Sequence, residues 1–231
     1  MAGCPYIISF MTEFISTNIL MYIGCMGCIE LYGLGPTLPA FTFGFSILAA
    51  VLAFRHISPV HMNPAVSVAH VVMNSMEWKR CLVYVVAQYI GAITGYGLLK
   101  ATMAEHPNLC VLKLENNTSP WQGFLMEAMI AMILMLVVAG STDTENYPIA
   151  DSIATRIGML IVGLVFSLAP FTGACLNPAR SLAPCIYYNN WTNHWLYHLS
   201  PYTGCILGAI LYRFLIDNHE KYSLYNLIHE K

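Results

Sequence analysis

The sequence predicts an all-α integral membrane protein: six membrane-spanning helices and two re-entrant half-helices arranged as an inverted repeat. Composition, run length and a long-period repeat predict it. Of 231 residues, 57% are hydrophobic and 10% are charged, whereas a soluble domain carries about 25% charged residues. Charged residues are absent or nearly so across 14–29, 31–54, 57–76, 81–99, 128–142, 157–179 and 181–216, and several of these runs match the roughly 20 residues a helix needs to cross the hydrocarbon core. The repeat fixes how they are arranged. Asn63-Pro64-Ala65 returns as Asn177-Pro178-Ala179, 114 positions later and close to half the chain. The lone acids of the apolar segments, Glu13 and Glu127, keep the same spacing, and so do Gly44 and Gly158. Tyr89-Ile90-Gly91 is answered by Tyr202-Thr203-Gly204 at 113.

Each half therefore contains a spanning helix with a buried Glu, a second spanning helix, a short segment opening at Asn-Pro-Ala, and a third spanning helix. The elements fall at about 7–30, 37–55, 63–74 and 80–103, then 121–141, 153–170, 177–187 and 195–216. One channel-like domain, 1–231, results, with repeats of about 1–112 and 113–231. Three spans per half is an odd number, so the second half enters the membrane from the opposite side, an arrangement that places a binding or conduction site at the midplane. The first apolar segment has no basic region before it and no small-residue cleavage site after it, so it is expected to be a retained helix rather than a signal peptide.

Basic residues orient the chain. With both termini cytoplasmic, Arg55, Lys79, Arg80, Arg156, Arg213, Lys221 and Lys231 lie inside and only Lys100 and Lys113 outside, which satisfies the positive-inside bias. The 104–120 loop then faces out. It carries overlapping glycosylation acceptors at Asn116 and Asn117, and Asn190 is a third on the same side. A net charge of −2 and the lack of a Lys/Arg cluster exclude nucleic acid as a partner. The eight Cys are scattered through apolar segments; Cys25 and Cys28 read as small apolar filler, and no disulfide framework is expected.

The two Asn-Pro-Ala segments are too short to span, and irregular backbone at membrane depth is tolerated only against protein or a wet cavity. Asn is a good N-cap and Pro is favoured in the first helical turn, so Asn63 and Asn177 each cap a half-helix. Inverted symmetry brings the two N-termini head to head, each carrying roughly half a positive charge. That pair of helix ends repels cations and hydronium. The two amide NH₂ groups are left to donate to an oxygen passing between them, since the side-chain carbonyls serve the backbone. This is the chemistry of a pore for small neutral solutes.

On these residues the chain resembles the aquaporin, or major intrinsic protein, family over essentially its full length. His61-Met62-Asn63-Pro64-Ala65-Val66-Ser67 and Thr172-Gly173-Ala174-Cys175-Leu176-Asn177-Pro178-Ala179-Arg180-Ser181 follow the family's two signatures, and Glu13, Thr17 and Leu20 follow its first-helix pattern. The resemblance implies the aquaporin fold, an hourglass pore in each subunit, a homotetramer in a lipid bilayer, expected at the plasma membrane, and no cofactor. It also implies an outer constriction. Arg180 is the one charge of its segment and is costly in lipid unless it lines a wet cavity; the family's equivalent Arg forms a filter with three other side chains, which correspond here to Phe43, Val165 and Ala174.

A strict water channel of the family is expected to carry His at the position of Val165. Val leaves a wider constriction, apolar on one side, suited to a carbon backbone sliding past Phe43 while hydroxyls bond to Arg180. Water, glycerol and urea are therefore the expected permeants, as in similar glycerol-permeable insect members. Ser181 departs from this, since dedicated glycerol channels carry Asp there, and a strictly water-selective pore is the alternative. His61 matches a pore-lining position and is a candidate for gating. Cys175, beside the filter, is a candidate for mercury sensitivity. His56, His61 and His70 lack metal-ligand spacing, so no metal is expected. Glu13 and Glu127 raise a proton-coupled carrier as a rival, although in the family such carboxylates accept hydrogen bonds from the loops bearing the half-helices. No nucleophile–base pair or paired acids support an enzyme.

Overall fold

A computed structural model describes residues 5–29, 34–104, 109–115, 117–142 and 152–229, with only the backbone given for 217–229. Asn116 and Lys231, two of the positions used above, lie outside the described residues. The described residues form α1 (Tyr6–Ile19), extended by a π-helical turn at Leu20–Gly24, then α2 (Thr37–Phe54), α3 (Pro64–Val72), α4 (Trp78–Thr102), α5 (Pro120–Thr142), α6 (Ile153–Thr172), α7 (Pro178–Tyr188) and α8 (His194–His229). Six are long and apolar enough to cross a membrane, and α3 and α7, at 9 and 11 residues, are not. The chain is a multi-pass membrane protein with an all-helical fold. Two boundaries differ from expectation. The helical turns of the first span end at Met26 rather than near residue 30, and α8 runs on past 216 to His229.

Polarity is distributed as lipid requires. Ile7 and Trp121 are 65% and 69% exposed, while Glu13, Gln88 and Glu127 are fully buried. These polar groups are thus enclosed within a largely apolar interior and the outer shell is apolar, which keeps unpaired polar groups out of hydrocarbon.

Residues that share a spacing in the sequence make matching close approaches. Gly44 of α2 and Gly158 of α6 sit against each other: a Cβ on Gly44 would lie 2.6 Å from the Gly158 carbonyl oxygen, and one on Gly158 would lie 2.9 Å from that of Gly44. Only hydrogen at both positions lets the two backbones approach this closely. The crossings of α1 with α4 and of α5 with α8 repeat one another in the same way. A Cβ on Gly91 would meet the Phe14 carbonyl oxygen at 2.5 Å, and one on Gly204 would meet that of Ala128 at 2.0 Å. Tyr89 and Tyr202, partners in the repeat, share a hydroxyl–hydroxyl hydrogen bond of 3.1 Å.

One covalent feature breaks the repeat. Cys25 and Cys110 form a disulfide, their Cα atoms 5.2 Å apart. This corrects the expectation of no disulfide: 85 residues separate the two in sequence, and spacing within apolar segments carries no record of a contact made by a returning loop. Cys28 remains a free thiol.

Candidate functional site

Asn63 and Asn177 lie in extended backbone, at φ −149° and −147°, immediately before Pro64 and Pro178. Asn63 Oδ1 accepts from the Ala65 amide at 3.0 Å, and Asn177 Oδ1 accepts from Ala179 at 3.0 Å and Arg180 at 3.4 Å. These side chains are the N-caps of α3 and α7. Their amide nitrogens reach across the midplane: Asn63 Nδ2 donates to the Leu176 carbonyl at 2.8 Å, and Asn177 Nδ2 donates to the Met62 carbonyl at 2.7 Å. The expectation that both NH₂ groups are wholly free is therefore corrected. Each commits one hydrogen to the opposite loop, which clamps the two half-helix ends together, and keeps one for the cavity.

The loops that deliver these caps are strained in matching places. Val60 and Met62 have φ of 60° and 54°, and their repeat partners Ala174 and Leu176 have 50° and 56°. Left-handed backbone at a residue with a Cβ costs about 1–3 kcal/mol and persists only where its surroundings hold it. The buried acids hold it here. Glu13 accepts from the His61 amide at 2.7 Å and the Met62 amide at 2.8 Å; Glu127 accepts from Cys175 at 2.8 Å and Leu176 at 3.0 Å. A third donor completes each carboxylate, and the two differ: Gln88 Nε2 at 2.8 Å on Glu13, and Thr172 Oγ1 at 2.6 Å on Glu127. Gln88 has no place in the sequence reading, and Thr172 enters it only as the first residue of the second signature, with no role. Being polar and embedded in apolar helices was their one signal.

A cavity of about 520 Å³ is lined by Phe43, Val165, Ala174 and Arg180, by Asn63 and Asn177, and by Arg55, Ser75 and Thr142. Its lining residues run from Phe43 to Arg55 along α2 and from Val165 back to Ile153 along α6, which puts Phe43 and Val165 at one end and Arg55 at the other. Between these polar stations its walls are aliphatic, with Ile47, Val51, Val138, Ile157 and Ile161 among them. The four filter candidates come from four different elements: Phe43 from α2, Val165 from α6, Ala174 from the loop before α7, and Arg180 from α7. Arg180 is 4% exposed, and its guanidinium carbon lies 5.5 Å from the centre of the Phe43 ring. Its Nη2 makes a long 3.5 Å contact with the Gly173 carbonyl, while Nε and Nη1 have no hydrogen-bond partner in the protein. Both belong to a side chain that lines the cavity.

His61 lines the same cavity, with Nδ1 3.1 Å from Ser67 Oγ and its ring stacked on His70 at 4.4 Å between centres. Sequence spacing did not reveal that stack, which forms because the 55–63 loop folds back onto α3. His56 is not part of it. No group of three or more His, Cys, Asp or Glu side chains suited to a metal occurs among the described residues. The Cys175 thiol donates to the carbonyls of Asn177 at 3.3 Å and Tyr197 at 3.4 Å and packs with Leu196. Asn117 and Asn190 are exposed, and Asn190 Oδ1 accepts from the Thr192 amide at 3.1 Å.

Two capped half-helices held head to head inside six spans decide the comparison with known proteins, and the sequence model of the major intrinsic proteins matches residues 4–212. The chain belongs to the major intrinsic protein family. This major intrinsic protein is 34% identical over 212 residues to aquaporin-4 of Mus musculus, a match covering 88% of this chain and 65% of that protein. It is 35% identical over 210 residues to the lens fiber major intrinsic protein of Ovis aries, covering 88% of this chain and 79% of the relative. The chain thus spans just under two thirds of the aquaporin-4 length. In fold it matches the X-ray structure of the aquaglyceroporin from Plasmodium falciparum with a TM-score of 0.82 at 22% identity, covering 92% of this chain and 97% of the other. Major intrinsic proteins are channels, not enzymes.

Proposed function

We propose that this protein is a passive channel for water that also passes glycerol and urea and excludes protons and ions, with one pore in each subunit of a homotetramer. The observation that carries the reading is the neck itself: the Arg180 donors stand over the Phe43 ring, with Val165 and Ala174 lining the same cavity. A permeant hydroxyl bonds to the guanidinium while its carbon skeleton passes the apolar side. Further in, the remaining amide hydrogens of Asn63 and Asn177 orient a water or hydroxyl, and the facing positive ends of α3 and α7 oppose cations. Both neighbouring names, aquaporin and aquaglyceroporin, belong to this range of permeants.

The proton-coupled alternative fits the geometry less well. Glu13 and Glu127 are fully buried, and each accepts two backbone N–H groups and one side-chain donor. A carboxylate so engaged is a loop anchor rather than a relay. Measuring flux in proteoliposomes separates the two. The channel gives non-saturating, gradient-driven flux without current; saturation or dependence on a pH gradient contradicts it. A strictly water-selective pore is the second reading, favoured by Ser181 where glycerol channels carry Asp.

The same proposal divides the chain into repeats of about 1–112 and 113–231 with both termini cytoplasmic, in the plasma membrane. This puts the Cys25–Cys110 disulfide and the exposed Asn117 and Asn190 outside, where disulfides persist and glycans are carried. His61 is assigned to gating of the inner half, and permeability unchanged between about pH 5.5 and 8 contradicts that role. Cys175 is assigned to mercurial block, and block that survives in Cys175→Ser contradicts it.

A further inference from the structure

The disulfide stands at one end of a short strap that ties together two walls of the neck. Cys25 follows the π-helical turn, and Gly24 in that turn lies so close to Phe43 that a Cβ there would meet a ring carbon at 2.5 Å. Cys110 is the second residue of segment 109–115, where the buried Tyr96 hydroxyl also donates to the Leu109 carbonyl. At the far end the Glu115 amide donates to the Phe171 carbonyl at 3.0 Å. Leu112 fills the space over Gly173, where a Cβ would meet it at 2.9 Å. Gly173 is the residue whose carbonyl faces Arg180 and which precedes Ala174. The repeat-related positions of the two cysteines are Ala139 and Leu224, so the bond has no counterpart at the opposite end of the pore, where there is no Arg180 neck.

We propose that Cys25 and Cys110 are positioning residues for the neck: their disulfide, acting through 109–115, holds the Phe43 wall against the Ala174–Arg180 wall and sharpens solute selection. The proposal rests on reading Phe43 and Arg180 as the constriction. A dithiol reductant opens the strap by two thiol–disulfide exchanges. Two electrons and two protons pass to the protein, leaving thiols at Cys25 and Cys110 and the reagent as its cyclic disulfide.

The test uses the full chain in proteoliposomes, reading water flux by stopped-flow light scattering and glycerol flux on the same preparation, with and without dithiothreitol. Wild type, Cys110→Ser and Leu112→Ala are compared. The ratio of glycerol to water permeability is expected to rise at least about twofold when wild type is reduced, since a filter side chain must be held to about 0.5 Å. Cys110→Ser is expected to show the raised ratio without reductant and to gain nothing from it, and Leu112→Ala to show it with the disulfide intact by mass spectrometry. An unchanged ratio in wild type whose two thiols are shown to be free overturns the proposal, even if Cys110→Ser does not fold. Wild type that passes water but no glycerol, and gains glycerol on reduction, supports it. Wild type that passes no water overturns both the strap and the pore reading.

Discussion

Asn63 and Asn177 each cap their own half-helix and donate to the loop that delivers the other, at 2.8 and 2.7 Å. The clamp is reciprocal, so the midplane is held by side chains that also face the cavity. Losing one N-cap costs about 1 kcal/mol, and Asn63→Ala in addition strips the Leu176 carbonyl of its donor. This variant is expected to unfold at lower temperature in detergent and to pass less water per channel. Its ion conductance is expected to stay at zero, because the facing helix ends persist. Voltage clamp reads the last point, and a cation current in Asn63→Ala contradicts the dipole argument.

Glu127 holds three donors around one carboxylate. Glu127→Gln replaces one accepting oxygen by an NH₂ group turned toward a backbone N–H, which costs about 1–3 kcal/mol for the donor left unpaired. A lower thermal-aggregation temperature and lower surface abundance are expected, with unaltered response to an imposed pH gradient. Loss of a pH-driven flux in this variant points instead to a proton relay.

At the Gly44–Gly158 contact, Gly44→Val places a side chain against Val162 and the Gly158 carbonyl, which lie 2.4 and 2.6 Å from where its Cβ stands. Overpacking of this kind costs about 1–3 kcal/mol. Because α2 carries Phe43 and α6 carries Val165, forcing the two helices apart also displaces two walls of the neck. Reduced folded yield is expected, with altered glycerol-to-water permeability in the fraction that folds. Normal yield and an unaltered ratio contradict the close-packing argument.

How much was legible in the sequence follows the repeat. Gly44 and Gly158 shared a spacing and are found touching; Glu13 and Glu127 shared it and grip equivalent loops; the two Asn-Pro-Ala triplets shared it and are found clamped. Each of these is a local requirement, a close approach, a buried anchor or a cap, so it must be written into both halves. What stayed hidden is asymmetric or depends on a returning loop. The Cys25–Cys110 bond joins positions 85 apart with no repeat partner. The His61–His70 stack depends on how the 55–63 loop turns, and the π-helical turn at Leu20–Gly24 leaves no mark in hydropathy. The Asn amides were expected to face the cavity alone because a head-to-head contact fixes which ends meet, not which hydrogens are used.

On the proposed reading, the four filter residues decide this chain's solute range. Val165 and Arg180 line the same cavity end, and a His at 165 adds a polar ring to the apolar side of that neck. The most direct measurement is osmotic swelling together with radiolabelled glycerol uptake in the same oocytes, comparing wild type with Val165→His at equal surface abundance. Swelling in both, with glycerol uptake in wild type that Val165→His abolishes, is the predicted result; swelling of wild type without glycerol uptake contradicts the account and leaves a water-selective channel.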